Sequence, residues 1–119
     1  MSILPDGRVA AFDWQLASLG PGVLDLVVFV NNSRWWAGSL PVRQEELVAE
    51  YRAAIAGTPG ISWTDEEWRL LWDHALMWRF MQEWIDLLAA MPAALVEART
   101  ALLDEVWVRP VMEAIERRL

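Results

Sequence analysis

"VAAFDWQLASLGPGVLDLVVFV", residues 9–30, decides how this chain is read. An apolar run ends on a carboxylate, Asp13, and a second carboxylate, Asp25, stands inside the next apolar run. A lone ionised carboxylate taken out of water is costly, so it calls for a cation or converging hydrogen-bond donors. Two of them in one short unit point to a site. Upstream, Ile3 and Leu4 lead into the turn sequence Pro5-Asp6-Gly7, and Arg8 to Trp14 can return as a second strand. Downstream, Ser18-Leu19-Gly20-Pro21-Gly22 reads as a loop, and proline suits the first position of a helix running from about Pro21 to Asn31. Asp13 at the end of a strand would be held rigidly with its oxygens open. Mg²⁺ takes one or two carboxylates and fills its shell with phosphate oxygens and water. Asp25, near the start of the helix, is well placed for the helix dipole and could collect backbone N–H groups from a neighbouring loop. The plainer reading has Asp13 capping a turn and Asp25 on an exposed helix face.

Working outward, the rest of the chain is helical in pattern. Pro41 to Ala56 carries Val42, Leu47, Val48, Tyr51 and Ile55 on one broad face, and Gly57 can end the helix. Thr64 followed by Glu67 is a capping-box pattern opening a long helix from Asp65 to about Ala90. Polar residues on the first half of that helix (Glu66, Glu67, Arg69, Asp73, His74) lie nearly opposite those on the second half (Arg79, Gln82, Glu83, Asp86), so the buried face is expected to change partway. A last helix begins at Pro92, with a bend expected near Pro110, and ends in Glu116-Arg117-Arg118. The expected fold is mainly α with a short N-terminal β-hairpin: a single partial domain, hairpin over 1–16 and four helices over 21–119. A two-stranded hairpin is marginal alone, and Met1 falls almost inside its first strand.

Composition narrows the function classes. The chain has 119 residues, 55% of them hydrophobic, and a net charge of −7. It contains no lysine, and its ten basic residues are scattered arginines, which argues against a nucleic-acid partner. There is no cysteine and one histidine, so thiolate metal sites are excluded and a Ser-His-Asp triad is hard to assemble. The apolar runs are short and interrupted by charge, which argues against a membrane span or a secretory leader. The expectation is a soluble, cytoplasmic protein.

The quoted segment resembles one found in the aminoglycoside phosphotransferase and choline kinase-like superfamily, in which apolar residues precede Asp-Trp-(Glu/Gln), then Gly-Pro or Gly-Asp-Pro, then Asp-Leu. The "DWQ…GPG…DL" form carries the likeness, and "ILPDGRVAAFDW" resembles the hairpin that precedes the metal aspartate in that family. The resemblance covers residues 3–30. It implies that Asp13 binds Mg²⁺ and that Asp25 anchors the backbone of the catalytic loop. It also implies a fold like the C-terminal part of a protein kinase-like C-lobe, and ATP-dependent phosphorylation of a small-molecule hydroxyl by the complete enzyme. The His-Gly-Asp motif and following Asn of that family do not occur here, since the one histidine, His74, precedes Ala75. Its glycine-rich phosphate loop and nucleotide-binding lysine are also missing. The chain is therefore expected to begin just after the catalytic loop, to bind neither ATP nor Mg²⁺ alone, and to be inactive by itself.

Nine tryptophans stand in the chain, five of them between Trp63 and Trp84. An aromatic cage for a quaternary ammonium is one reading, and core packing of Trp68, Trp72, Trp78 and Trp84 is the preferred one. In the resembled family this helical region contributes acceptor contacts, often acidic ones, which makes Asp73, Glu83 and Asp86 substrate-side candidates; a solvated helix face is the plainer account. The competing function is a non-catalytic helical interaction module. In either case the exposed hairpin is expected to promote association, as a homodimer.

Overall fold

The computed structural model describes residues 2–10 and 20–119. Asp13, Trp14 and Gln15 lie outside the described residues, and with them the strand end on which the metal reading rests. The described hairpin is short. Strand β1 (Ser2–Ile3) pairs antiparallel with β2 (Val9–Ala10), Ser2 opposite Ala10 and Ile3 opposite Val9. The turn between them closes through Leu4 N–H to Arg8 O (2.8 Å) and Gly7 N–H to Leu4 O (2.9 Å), with Gly7 at φ 81°. A φ in that range is open to glycine at little cost, which is why Asp6-Gly7 can turn the chain here.

Everything else described is helix and its connections. Helix α1 (Val23–Ala37) starts two residues beyond Pro21 and runs six past the expected end at Asn31. Its buried residues, Val23, Leu26, Val27, Val30, Asn31 and Trp35, recur at helical spacing. Asn31-Asn32-Ser33 looks like a stop signal in sequence. Trp35 overrides it by packing edge-on against Trp84, with ring centroids 5.3 Å apart. Gly38, at φ 81°, ends the helix by donating its N–H to Arg34 O. Helix α2 (Gln44–Ala56) starts three residues after the expected Pro41, so Val42 falls outside it and is exposed, while Leu47, Val48, Tyr51 and Ile55 face the core as expected, none of them fully buried.

Helix α3 (Asp65–Arg79) opens on the expected capping box: Glu67 N–H donates to Thr64 Oγ1 (3.2 Å) and Thr64 N–H to Glu67 Oε2 (2.8 Å). It continues through a π-helical turn, Phe80–Trp84, into α4 (Ile85–Ala90), with Ile85 N–H reaching back to Phe80 O. A π turn inserts a residue into the helix and rotates everything beyond it. It thus marks the place where the polar face of the sequence changes sides. The expected single last helix is two: α5 (Ala93–Ala98) breaks at Arg99, and α6 (Thr100–Leu103) runs through a second π turn, Asp104–Val108, into α7 (Arg109–Arg118). Proline lacks an N–H and crowds the carbonyl four residues back. The π turn immediately before Pro110 is where the helix absorbs that mismatch.

The two π turns meet at the centre. Trp84 and Trp107 are both fully buried with ring centroids 4.9 Å apart, and Phe80 lies 6.2 Å from Trp107. Trp84 Nε1 donates to Asn32 Oδ1 (3.2 Å), which ties α1 to the first of these turns. Val23, Val27, Val30, Leu76, Val106 and Val111 complete the core. Core packing therefore holds for Trp68 and Trp84 and in part for Trp72, whereas Trp78 is 58% exposed. The chain is mainly helical with one antiparallel hairpin, and among the described residues no helix is long and apolar enough to cross a membrane.

Candidate functional site

Of the carboxylates named above that lie among the described residues, only Asp73 is buried. Its side chain is 1% exposed on α3, although its sequence neighbours Glu66, Glu67 and His74 are exposed. Helix α7 crosses α3 with Val111 and Ala114 buried, and this brings its last turn over Asp73. Arg117 grips the carboxylate with two donors, Nη2 to Oδ1 at 2.9 Å and Nε to Oδ2 at 3.3 Å. Arg118 adds Nε and Nη2 on Oδ2, at 2.9 and 2.8 Å. Burial pushes the Asp73 carboxyl up. The hydrogen bonds and charge of the two guanidiniums outweigh it and hold the group below the usual carboxylate range. The same bonds raise Arg117 above its ordinary value. Both arginines also sit in the last turn of α7, where cations suit the helix dipole. The solvated-face reading of Asp73 is thus replaced by a cross-helix ion pair, because the polar face of α3 is where α7 docks.

Asp73 and Arg117 form one end of a cleft of about 580 Å³ between α2 and α3. Val48 and Ala49 line the α2 wall, and Trp68 and Trp72 line the α3 wall. Arg52 lies in this cleft with its guanidinium 5.2 Å from the centroid of the Trp68 ring, bonded to Asp65 Oδ1 (2.8 Å). Tyr51, Trp63 and Trp72 each stand within 6.3 Å of Trp68, centroid to centroid. An aromatic group of this kind is suited to a cation, and here the protein's own Arg52 occupies its central ring.

Asp25 is placed differently. Its side chain is 87% exposed in the first turn of α1, and its one ion pair among the described residues is a long contact of 3.4 Å to Arg79. It sits beside the buried Leu26 and Val27, so its backbone is fixed while its oxygens stay open. Gly22, at the head of the same helix, is pressed against Tyr51: a Cβ there would collide with the Tyr51 hydroxyl. The glycine after Pro21 therefore leaves room for the Tyr51 hydroxyl at the start of α1. Glu83 is half-buried in the first π turn and Asp86 exposed on α4, and neither lines the cleft. His74 is exposed, its Nδ1 2.8 Å from Leu70 O within its own helix. Among the described residues no three acidic or histidine side chains lie together as a metal site.

Arg52, Arg117 and Arg118 belong to this candidate site, although nothing local in the sequence marks them for it. The local pattern marked Arg117 and Arg118 only as the end of a helix, and nothing within 40 residues of them points to Asp73. Comparison with protein-family models, with curated proteins and with solved structures gives no match to this chain.

Proposed function

We propose that this chain is the substrate-side, C-terminal-lobe portion of a small-molecule phosphotransferase of the aminoglycoside and choline kinase-like type. In the complete enzyme Asp13 would hold Mg²⁺ beside the ATP phosphates, Asp25 would anchor the catalytic loop, and the α2–α3 cleft would receive the hydroxyl-bearing acceptor. The observation that supports this best is Asp25. A carboxylate on a rigid helix start, between buried neighbours yet with open oxygens, fits a residue whose hydrogen-bond donors come from another segment. Positioning and charge neutralisation carry phosphoryl transfer, and these residues supply only part of either.

The test is a fusion of these 119 residues, in frame, to a nucleotide lobe and a His-Gly-Asp…Asn catalytic loop of that superfamily. ATP- and Mg²⁺-dependent phosphorylation of a small alcohol should appear, and Asp13→Ala should abolish it without loss of helical signal. Unchanged turnover in that variant removes the metal role. The unfused chain should transfer no phosphate, and sustained turnover by it overturns the proposal.

A second reading, a helical interaction module that associates with itself, draws on Ile3 and Val9, which are 75% and 60% exposed on the hairpin. Light scattering over a concentration series should then show a dimer that Ile3→Asp/Val9→Asp dissolves. A monomer at every concentration ends that reading.

A further inference from the structure

We propose that the α2–α3 cleft binds a small organic carboxylate, and that the acceptor is a hydroxy acid rather than a cationic alcohol; the word acceptor here rests on the phosphotransferase reading, whereas the binding site does not. The one buried carboxylate of the cleft is fully engaged. Asp73 is enclosed by two guanidiniums and Asp65 is met by Arg52. A cationic ligand would have to displace two arginines to reach Asp73; Asp65, exposed and bonded to Arg52 through Oδ1 alone, and Glu45, at the start of α2, are the open carboxylates of the lining.

The cations are not used up. Two guanidiniums meet the single charge of Asp73 and Glu113 offsets the second, so this end of the cleft is close to neutral until the charge of Arg69 is added. Arg117 keeps its Nη1 edge, 3.8 Å from Glu113 and short of a hydrogen bond. Arg69 lines the cleft, is exposed, and has no ion-pair partner among the described residues. It also lines the adjoining hollow with Arg117 and Arg118. A guanidinium presents paired N–H donors that match a carboxylate in its plane. Buried Asp73 fixes the Arg117 head, so one arm of this fork is set before any ligand arrives. The Trp68 and Trp72 rings and Val48 give an organic body something to cover, which an inorganic ion lacks. All this occurs in a chain of net charge −7, where the cleft is far less negative than the whole.

The test follows the nine indole N–H signals of the chain by ¹⁵N NMR during titration with 3-phenyllactate, 3-phenylpropane-1,2-diol and choline. Phenyllactate and the diol share a shape and differ in the carboxylate. Phenyllactate should bind at least tenfold more tightly than the diol and shift the Trp68 and Trp72 signals. Arg69→Gln should weaken it about tenfold and Arg69→Lys should recover most of the loss. Inorganic phosphate should compete only at far higher concentration. Equal binding of acid and diol, or unchanged affinity in Arg69→Gln, overturns the inference. If choline binds and phenyllactate does not, the carboxylate site falls while the acceptor cleft stands. If no probe binds, both fall. If phenyllactate binds but the fusion enzyme phosphorylates no hydroxy acid, the site stands and its role as an acceptor site falls.

Discussion

Replacing Arg117 and Arg118 together by methionine should destabilise the fold in a way that depends on pH. Methionine keeps an apolar stem of similar length, so the change removes charge and donors more than packing. It leaves Asp73, 1% exposed, as a buried carboxylate without a cation. Breaking a buried pair in this way costs about 3–5 kcal/mol. Protonation sets a ceiling: neutralising a carboxyl of pKa about 3.9 at pH 7 costs about 4 kcal/mol, at roughly 1.4 kcal/mol per pH unit. The double variant should therefore lose about 3–4 kcal/mol at pH 7, about 1.5 kcal/mol at pH 5, and little of this kind below pH ~4. The wild type behaves in the opposite sense. Its Asp73 is held below the ordinary value, so the stability it contributes is present above that value and is lost as pH falls through the folded-state pKa. Urea unfolding followed by tryptophan fluorescence at pH 5, 6 and 7 measures the gap between the two proteins. A gap that is under 1 kcal/mol at pH 7, or that stays constant with pH, would refute the argument that the arginines hold a buried anion.

Three further outcomes are expected. Gly22→Ala places a methyl group against the Tyr51 hydroxyl and should cost about 1–3 kcal/mol by overpacking, with Gly22→Ala/Tyr51→Phe recovering part of it in a double-mutant cycle. Trp107→Ala empties the meeting point of the two π turns and should cost about 3–5 kcal/mol in the same urea assay, with loss of fixed near-UV dichroism. Asp25→Asn should change the stability of this chain by less than about 0.5 kcal/mol, since its side chain is 87% exposed, while sharply reducing turnover in the fusion enzyme. A large stability loss from Asp25→Asn would instead show that its carboxylate is satisfied within this chain.

What the sequence determined by itself is the local part. Thr64 and Glu67 place a helix start because both partners of the capping box lie within one turn. Leu47, Val48, Tyr51 and Ile55 announce the inner face of α2, and Asp6-Gly7 the hairpin turn, for the same reason. Helix ends set by packing were less legible: α1 runs past Asn31 because Trp35 finds Trp84, almost 50 residues away. Tertiary structure alone decided the role of Asp73. A carboxylate among polar neighbours at helical spacing looks solvated, and only the docking of α7 turns that face inward and delivers Arg117 and Arg118 to it. The same crossing sets the charge of the cleft, since the cations at its end come from opposite ends of the helical half. Periodicity reports which face of a helix is apolar. It carries no record of which distant helix covers the polar one, because that choice is made by packing and charge pairing between segments far apart in the chain.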